Sequence, residues 1–147
     1  MTSLPEDFKD FLKLLNSHKV EYLLIGGYAV GYHGYPRATA DMDIWIGISK
    51  NNAQKLVTVL KEFGFDLPEV KENLFLDENK VFRMGNPPIR IELLTTISGV
   101  EFRACYNNRI EDIVDGININ IIDLENLKKN KKASGRYKDL DDYEKLP

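Results

Sequence analysis

Residues 20–46 read VEYLLIGGYAVGYHGYPRATADMDIWI, a pattern of two strands joined through a glycine pair and a short helix. Residues 20–25 form a short β-branched and aromatic run closed by Gly26-Gly27, the pattern of a buried strand. A short helix over 27–33 follows directly. Gly34-Tyr35-Pro36 ends it, because proline disfavours helical geometry at the preceding residue. Residues 41–46 make a second strand, with Ile44 and Ile46 on one face and Asp41 and Asp43 on the other.

The chemistry lies in the same stretch. Backbone N–H groups at a helix start are unpaired and sit at the positive end of its dipole, and glycine lets an anion approach closely. Gly26 and Gly27 are therefore candidate phosphate-binding residues, although Gly-Gly after a strand is also a common tight turn. Asp41 and Asp43 project to one side about 6.6 Å apart along the strand. Such carboxylates repel each other unless cations lie between them, which suits Mg²⁺. Glu92 supplies a third carboxylate on the polar face of a later strand, beside Arg90. Three carboxylates on two neighbouring strands can hold two metals roughly 3.5–4 Å apart, the arrangement of in-line phosphoryl or nucleotidyl displacement. An isolated D-x-D more often just solvates a strand entrance. Here the glycines lie fourteen positions before Asp41, and a carboxylate follows on a polar strand face.

On the N-terminal side, Ser3-Leu4-Pro5-Glu6 reads as a capping box. Phe8, Phe11, Leu12 and Leu15 then form one apolar stripe of a helix reaching about residue 17. On the C-terminal side, Ser49 caps a helix over 51–63 with Ala53, Leu56, Val57, Leu60 and Phe63 facing the core. Residues 65–79 read as loop with one short turn. Residues 81–84 and 89–95 pair as strands; Ile89, Ile91 and Leu93 share a face, and Arg90 and Glu92 share the opposite one. Residues 100–107 are weakly helical. Residues 110–114 and 117–122 flank Asp115-Gly116, a hairpin signal. Asp123 caps a lysine-rich helix to about residue 133, Gly135 interrupts it, and a last helix covers 136–146. The expected fold is α/β (α+β): one domain over 1–147, a mixed sheet flanked by helices, and the cleft at one sheet edge.

Composition excludes several classes. Charged residues are 29% and hydrophobic residues 43%, so neither disorder nor a membrane-embedded chain is expected. A net charge of −3 argues against a non-specific nucleic-acid coat. One cysteine and two histidines leave little for a zinc site. No apolar run approaches the roughly 18 residues of a spanning helix. The start is polar and acidic where a signal peptide would be basic and then apolar, so a soluble cytoplasmic protein is expected.

The joint pattern Ile25-Gly26-Gly27-Tyr28-Ala29, Gly34, Arg37, Thr39, Asp41 and Asp43 resembles the nucleotidyltransferase superfamily, with its polymerase-β-like fold. The tail Ser134-Gly135-Arg136-Tyr137-Lys138-Asp139-Leu140, with Asp142, resembles the ending of the AbiEii-like bacterial branch, often found in toxin–antitoxin systems. That resemblance implies a Mg²⁺-dependent enzyme that moves an NMP from an NTP, with ATP the expected nucleotide, to a hydroxyl and releases pyrophosphate. Asp41, Asp43 and Glu92 would be the catalytic carboxylates and would ligate two Mg²⁺. Gly26 and Gly27 would hold the β- and γ-phosphates. The acceptor would be a tRNA end, a protein or a small molecule, and a toxin–antitoxin partner protein is implied. The superfamily usually carries aspartate at the third position and often serine after the first glycine; this chain has Glu92 and Gly27. The alternative is a weakly active or inactive nucleotide-binding or interaction module, such as one partner of a toxin–antitoxin pair. A haloacid-dehalogenase-like phosphatase also uses D-x-D, but Trp45 stands where it wants Thr or Val.

Secondary candidates carry two readings each. Arg37 could pair with a phosphate or bridge to an acid, and Thr39 could fix its loop by a backbone hydrogen bond. Lys128, Lys129, Lys131, Lys132, Arg136 and Lys138 form a basic run, read as a solvated helix face, with Lys138 the exception that the tail resemblance brings towards the site. His33 reads as a packing or hydrogen-bonding residue rather than one leaning towards a nucleotide; Tyr28, Tyr32 and Tyr35 as semi-buried core residues rather than base-stacking ones. Trp45 lines the cleft or is covered by a helix. Cys105 reads as inert core.

Overall fold

The computed structural model describes residues 4–147, so Ser3 of the expected capping box lies outside the described residues. Helix α1 spans Glu6–Ser17 and buries Phe8, Phe11, Leu12 and Leu15, the expected stripe. Strand β1 (Tyr22–Ile25) is buried along its whole length and runs into α2 (Gly26–Tyr32). Strand β2 (Asp41–Ile46) follows, then α3 (Lys50–Glu62), whose first turn is capped by Ser49 Oγ accepting from Asn52 N at 3.0 Å. A single 3-10 turn at Glu72–Phe75 is the regular element of the long loop. Strands β3 (Val81–Asn86) and β4 (Ile89–Leu94) pair antiparallel, α4 covers Phe102–Asn107, and β5 (Ile110–Val114) pairs antiparallel with β6 (Ile117–Ile121). Asp115 and Gly116 between these last strands have φ of 55° and 77°, the left-handed pair a two-residue hairpin turn demands. Helices α5 (Leu124–Ser134) and α6 (Tyr137–Lys145) close the chain, separated by Gly135 at φ 71°.

The strands form one six-stranded mixed sheet in the order β3-β4-β2-β1-β6-β5. Its two hairpins lie outermost, while the inner contacts are β4–β2 parallel, β2–β1 antiparallel and β1–β6 parallel. The fold is mixed α/β with one core. Met42, Ile44 and Ile46 of β2 are fully buried on one face, with Asp41, Asp43 and Trp45 on the other. Trp45 is covered by α4: its ring meets Phe102 edge-on at 5.1 Å, and Nε1 donates to the Thr95 carbonyl at 3.3 Å.

Two expectations need correction. The cleft does not lie at a sheet edge, because the β3–β4 hairpin adds a strand outside β4 and leaves β2 and β4 interior. Helix α3 buries Asn52 and Val59 with Ala53, Leu56 and Leu60, while Val57 and Phe63 are only partly buried. Asn52 sets that rotation. Its amide donates to the Glu21 and Gly47 carbonyls at 3.0 and 2.8 Å and accepts from Glu21 N at 2.8 Å, strapping the helix start to the ends of β1 and β2. A buried polar group so fully bonded loses little by leaving water.

Candidate functional site

Strand pairing assembles the site. In the parallel β2–β4 ladder Asp41 lies opposite Arg90, and Asp43 lies opposite Glu92. Alternation puts all four side chains on one face, so an attractive pair stands next to a like-charge pair. One carboxylate oxygen from each of Asp41, Asp43 and Glu92 lies within 4.8 Å of the others, close enough to share a cation. Arginines already lean on this group. Arg90 donates through Nε and Nη2 to the two oxygens of Asp41 at 2.8 and 2.9 Å, and its Nη2 is 3.3 Å from Glu92 Oε1. Arg83, opposite Glu92 on β3, donates from Nε to the same oxygen at 3.1 Å.

Asp43 is the carboxylate that the arginines do not reach. Its Oδ1 is buried and has no hydrogen-bond partner among the described residues. Burial first, then the Glu92 and Asp41 charges, push its carboxyl up to about 6, against the opposing pull of Lys131 and Lys138. A buried carboxylate oxygen without a donor is costly unless a cation completes it. This donor set consists only of oxygens, and it fits a hard divalent ion such as Mg²⁺.

The glycines serve the same geometry. Ile25 pairs with Asp43, so Gly26 follows directly beside that carboxylate. A side chain on Gly26 would collide with the Asp43 carboxylate, and its φ of 66° is one that glycine tolerates. A Cβ on Gly27 would lie 2.7 Å from Thr39 Oγ1 and 3.1 Å from Arg37 Nη1. Thr39 Oγ1 donates to the Asp41 carbonyl at 3.1 Å, the loop-fixing bond expected for it. Arg37 clasps Asp142 of α6 through Nε and Nη2, both at 2.8 Å, so of its two readings the bridge to an acid is the one present.

Helices α5 and α6 form the far wall. Lys131, expected on a solvated face, is buried instead, with Nζ 3.0 Å from Asp139 and 3.1 Å from Asp142. It lies one turn after buried Leu127, on the inward stripe of α5, whereas Lys129 and Lys132 of the same run are exposed. Asp139 also accepts from Ser134 Oγ at 2.5 Å and Arg136 Nε at 2.6 Å. Burial alone would raise its carboxyl, but these bonds and Lys131 hold it down at about 2. Lys138 lines the cleft and is the only one of its cations without a hydrogen-bond partner among the described residues.

All eight residues singled out by sequence, Gly26, Gly27, Arg37, Thr39, Asp41, Asp43, Glu92 and Lys138, line this one cleft of about 500 Å³. A recess of about 240 Å³ adjoins it, sharing Gly26, Asp43 and Lys131 and adding Thr96, Ser98 and Asn130. Two larger hollows, of about 670 and 680 Å³, lie elsewhere, and neither is lined by any of the three converging carboxylates. Sequence reading missed the roles of Arg90, Arg83 and Lys131. Only for Arg90 was there a signal, its place two residues before Glu92 on the polar face.

The remaining candidates are structural. His33 Nε2 donates to the Ile122 carbonyl at 2.7 Å, Tyr28 packs edge-on to Phe8, and Tyr32 and Tyr35 donate to Asp112 and Asp141. Cys105 is buried, and that burial pushes its thiol up to about 11. No helix among the described residues is long and apolar enough to cross a membrane. Comparison with protein-family models finds no match, and comparison with curated proteins finds none either.

Proposed function

We propose that this chain is a Mg²⁺-dependent nucleotidyltransferase that moves an NMP from an NTP, ATP foremost, onto a hydroxyl and releases pyrophosphate. The observation that supports it most is the convergence of Asp41, Asp43 and Glu92 on a cation-walled cleft, with Asp43 Oδ1 buried and without a partner among the described residues. The sequence pattern running from Gly26 to Asp43, which resembles the nucleotidyltransferase superfamily, points the same way.

In this reading Asp41, Asp43 and Glu92 hold the metal, and the N–H groups opening α2 beside Asp43 meet the β- and γ-phosphates. Bound Mg²⁺ would neutralise phosphate charge and align the attacking and leaving oxygens. Lys138 and Arg136 offset charge on the triphosphate from the α5–α6 wall. The acceptor oxygen forms a bond to the α-phosphorus, the bond to the pyrophosphate oxygen breaks, and Glu92 orients the hydroxyl and takes its proton. The acceptor is a tRNA end, a protein hydroxyl or a small molecule, and a toxin–antitoxin partner belongs to the same reading.

The test is transfer of α-³²P from each NTP in Mg²⁺ to tRNA, protein and small hydroxyl compounds, with pyrophosphate release measured alongside. Transfer that disappears in Asp41→Asn and Asp43→Asn supports the proposal. NTP binding with no transfer to any acceptor class favours a nucleotide-binding module with little turnover. Arg90 and Arg83, which already neutralise two of the carboxylates, are the observation on that side.

A further inference from the structure

We propose that Arg90 is a built-in counter-ion of the carboxylate triad, displaced by the divalent ion and then used to bind the triphosphate, so that metal and nucleotide strengthen each other's binding. The inference rests on the metal-dependent reading above and adds a residue to it. Arg90 forks onto both oxygens of Asp41 and reaches Glu92 Oε1, so a guanidinium faces the whole of the Asp41 carboxylate and one oxygen of Glu92, where a cation would bind. Arg83 reinforces this from β3 through the same Glu92 oxygen. Asp43, between these partners and the α5–α6 wall, receives no such donor and keeps a bare buried oxygen. The triad is thus two-thirds neutralised internally and open at its third member.

Displacement needs no change in the fold. The Arg90 side chain is 30% exposed and that of Arg83 58%, and both line the cleft. A divalent ion brings two charges to three clustered carboxylates where the guanidinium brings one, and it binds oxygen at about 2.1 Å, so it competes on charge and on distance against the cost of shedding its water. Once released, Arg90 stays tethered to β4 at the cleft wall. Its planar donor fork then matches phosphate oxygens, as it matches Asp41 in the absence of metal. Metal alone must break the Arg90–Asp41 fork with no replacement partner for the arginine. Nucleotide alone must draw Arg90 from Asp41 and leave that carboxylate bare beside a triphosphate. Together each ligand satisfies the group the other frees, which is a positive coupling between two sites and is reciprocal by linkage.

The experiment uses the full chain and Mn²⁺ as a spectroscopic probe, with free Mn²⁺ followed by electron paramagnetic resonance. Wild type, Arg90→Gln, Arg90→Lys and Asp43→Asn are titrated with and without a non-hydrolysable ATP analogue, and circular dichroism confirms that each is folded. We expect Arg90→Gln to bind Mn²⁺ alone about tenfold more tightly than wild type, and to lose most of the tightening that nucleotide produces in wild type. Arg90→Lys, which keeps the charge but not the fork, should fall between them. Arg90→Gln and Arg90→Lys binding Mn²⁺ no more tightly than wild type overturn the inference. Mn²⁺ bound by wild type and lost in Asp43→Asn would in that case still uphold the triad as a metal site. Mn²⁺ bound by none of the four proteins overturns both.

Discussion

Asp43 of β2 and Glu92 of β4 stand directly opposite one another in a parallel ladder, two acids where a sheet ordinarily avoids like charges. With its carboxyl pushed up to about 6 by burial and by its acidic neighbours, Asp43 holds a proton in the folded chain at pH values where the unfolded chain has lost it. The stabilising effect of that proton is complete below the ordinary carboxylate pKa near 4 and disappears as pH rises through about 6. Asp43→Asn should therefore melt higher than wild type at pH 7.5 in EDTA, by up to about 3 kcal/mol, and the two should converge near pH 4. Thermal melts across that range check it. Equal stability at pH 7.5 would mean that the carboxylate carries no strain.

Gly26→Ala should be damaging in two separable ways. Its backbone at φ 66° costs a side chain roughly 1–2 kcal/mol, and the added methyl collides with the Asp43 carboxylate. Gly64→Ala, also at positive φ but facing open space, is the control. Both should melt lower, but Gly26→Ala alone should also lose divalent-ion binding in a Mn²⁺ titration. Retention of binding in Gly26→Ala would show that Asp43 can move aside freely.

Lys131 offers the sharpest stability test. Lys131→Met leaves two buried aspartates short of a counter-charge and should cost about 2–4 kcal/mol in urea unfolding, because a buried pair broken on one side strands its partner. Lys132→Met, on the exposed side of the same helix, should change stability by less than about 0.5 kcal/mol. Asp139, held at about 2, stabilises the fold above the ordinary carboxylate range, and this contribution is lost only as pH falls towards 2.

The elements were legible wherever local patterning sets them. Alternation in 41–46 separates Asp41 and Asp43 from Ile44 and Ile46 without any knowledge of neighbours, and Asp115-Gly116 marks its hairpin because few other residues accept its φ values. The side of the cleft lined by Gly26, Gly27, Asp41 and Asp43 was legible because it lies within a single run of chain. What sequence concealed was partner choice between distant segments. Arg90 belongs to Asp41 only because β2 and β4 are neighbours, Arg37 finds Asp142 across 105 residues, and Asn52 turns α3 through bonds to Glu21 and Gly47. Lys131 was concealed differently: its inward position follows from the docking of α6, which a charge-rich helical stretch does not announce.

Cys105 should stay unmodified in the native chain. A buried thiol raised to about 11 presents almost no thiolate at pH 8, so a thiol-reactive chromophore should label it only after denaturant is added. Rapid labelling without denaturant would contradict the burial of α4 against the core.

Calorimetric titration of ATP into the full chain, with and without Mg²⁺, for wild type and Asp43→Asn, tests the proposed site most directly. Binding that requires Mg²⁺ and disappears in Asp43→Asn is the expected result. Failure of every nucleoside triphosphate to bind in Mg²⁺, or binding left unchanged by Asp43→Asn, would contradict a nucleotide and metal site at Asp41, Asp43 and Glu92.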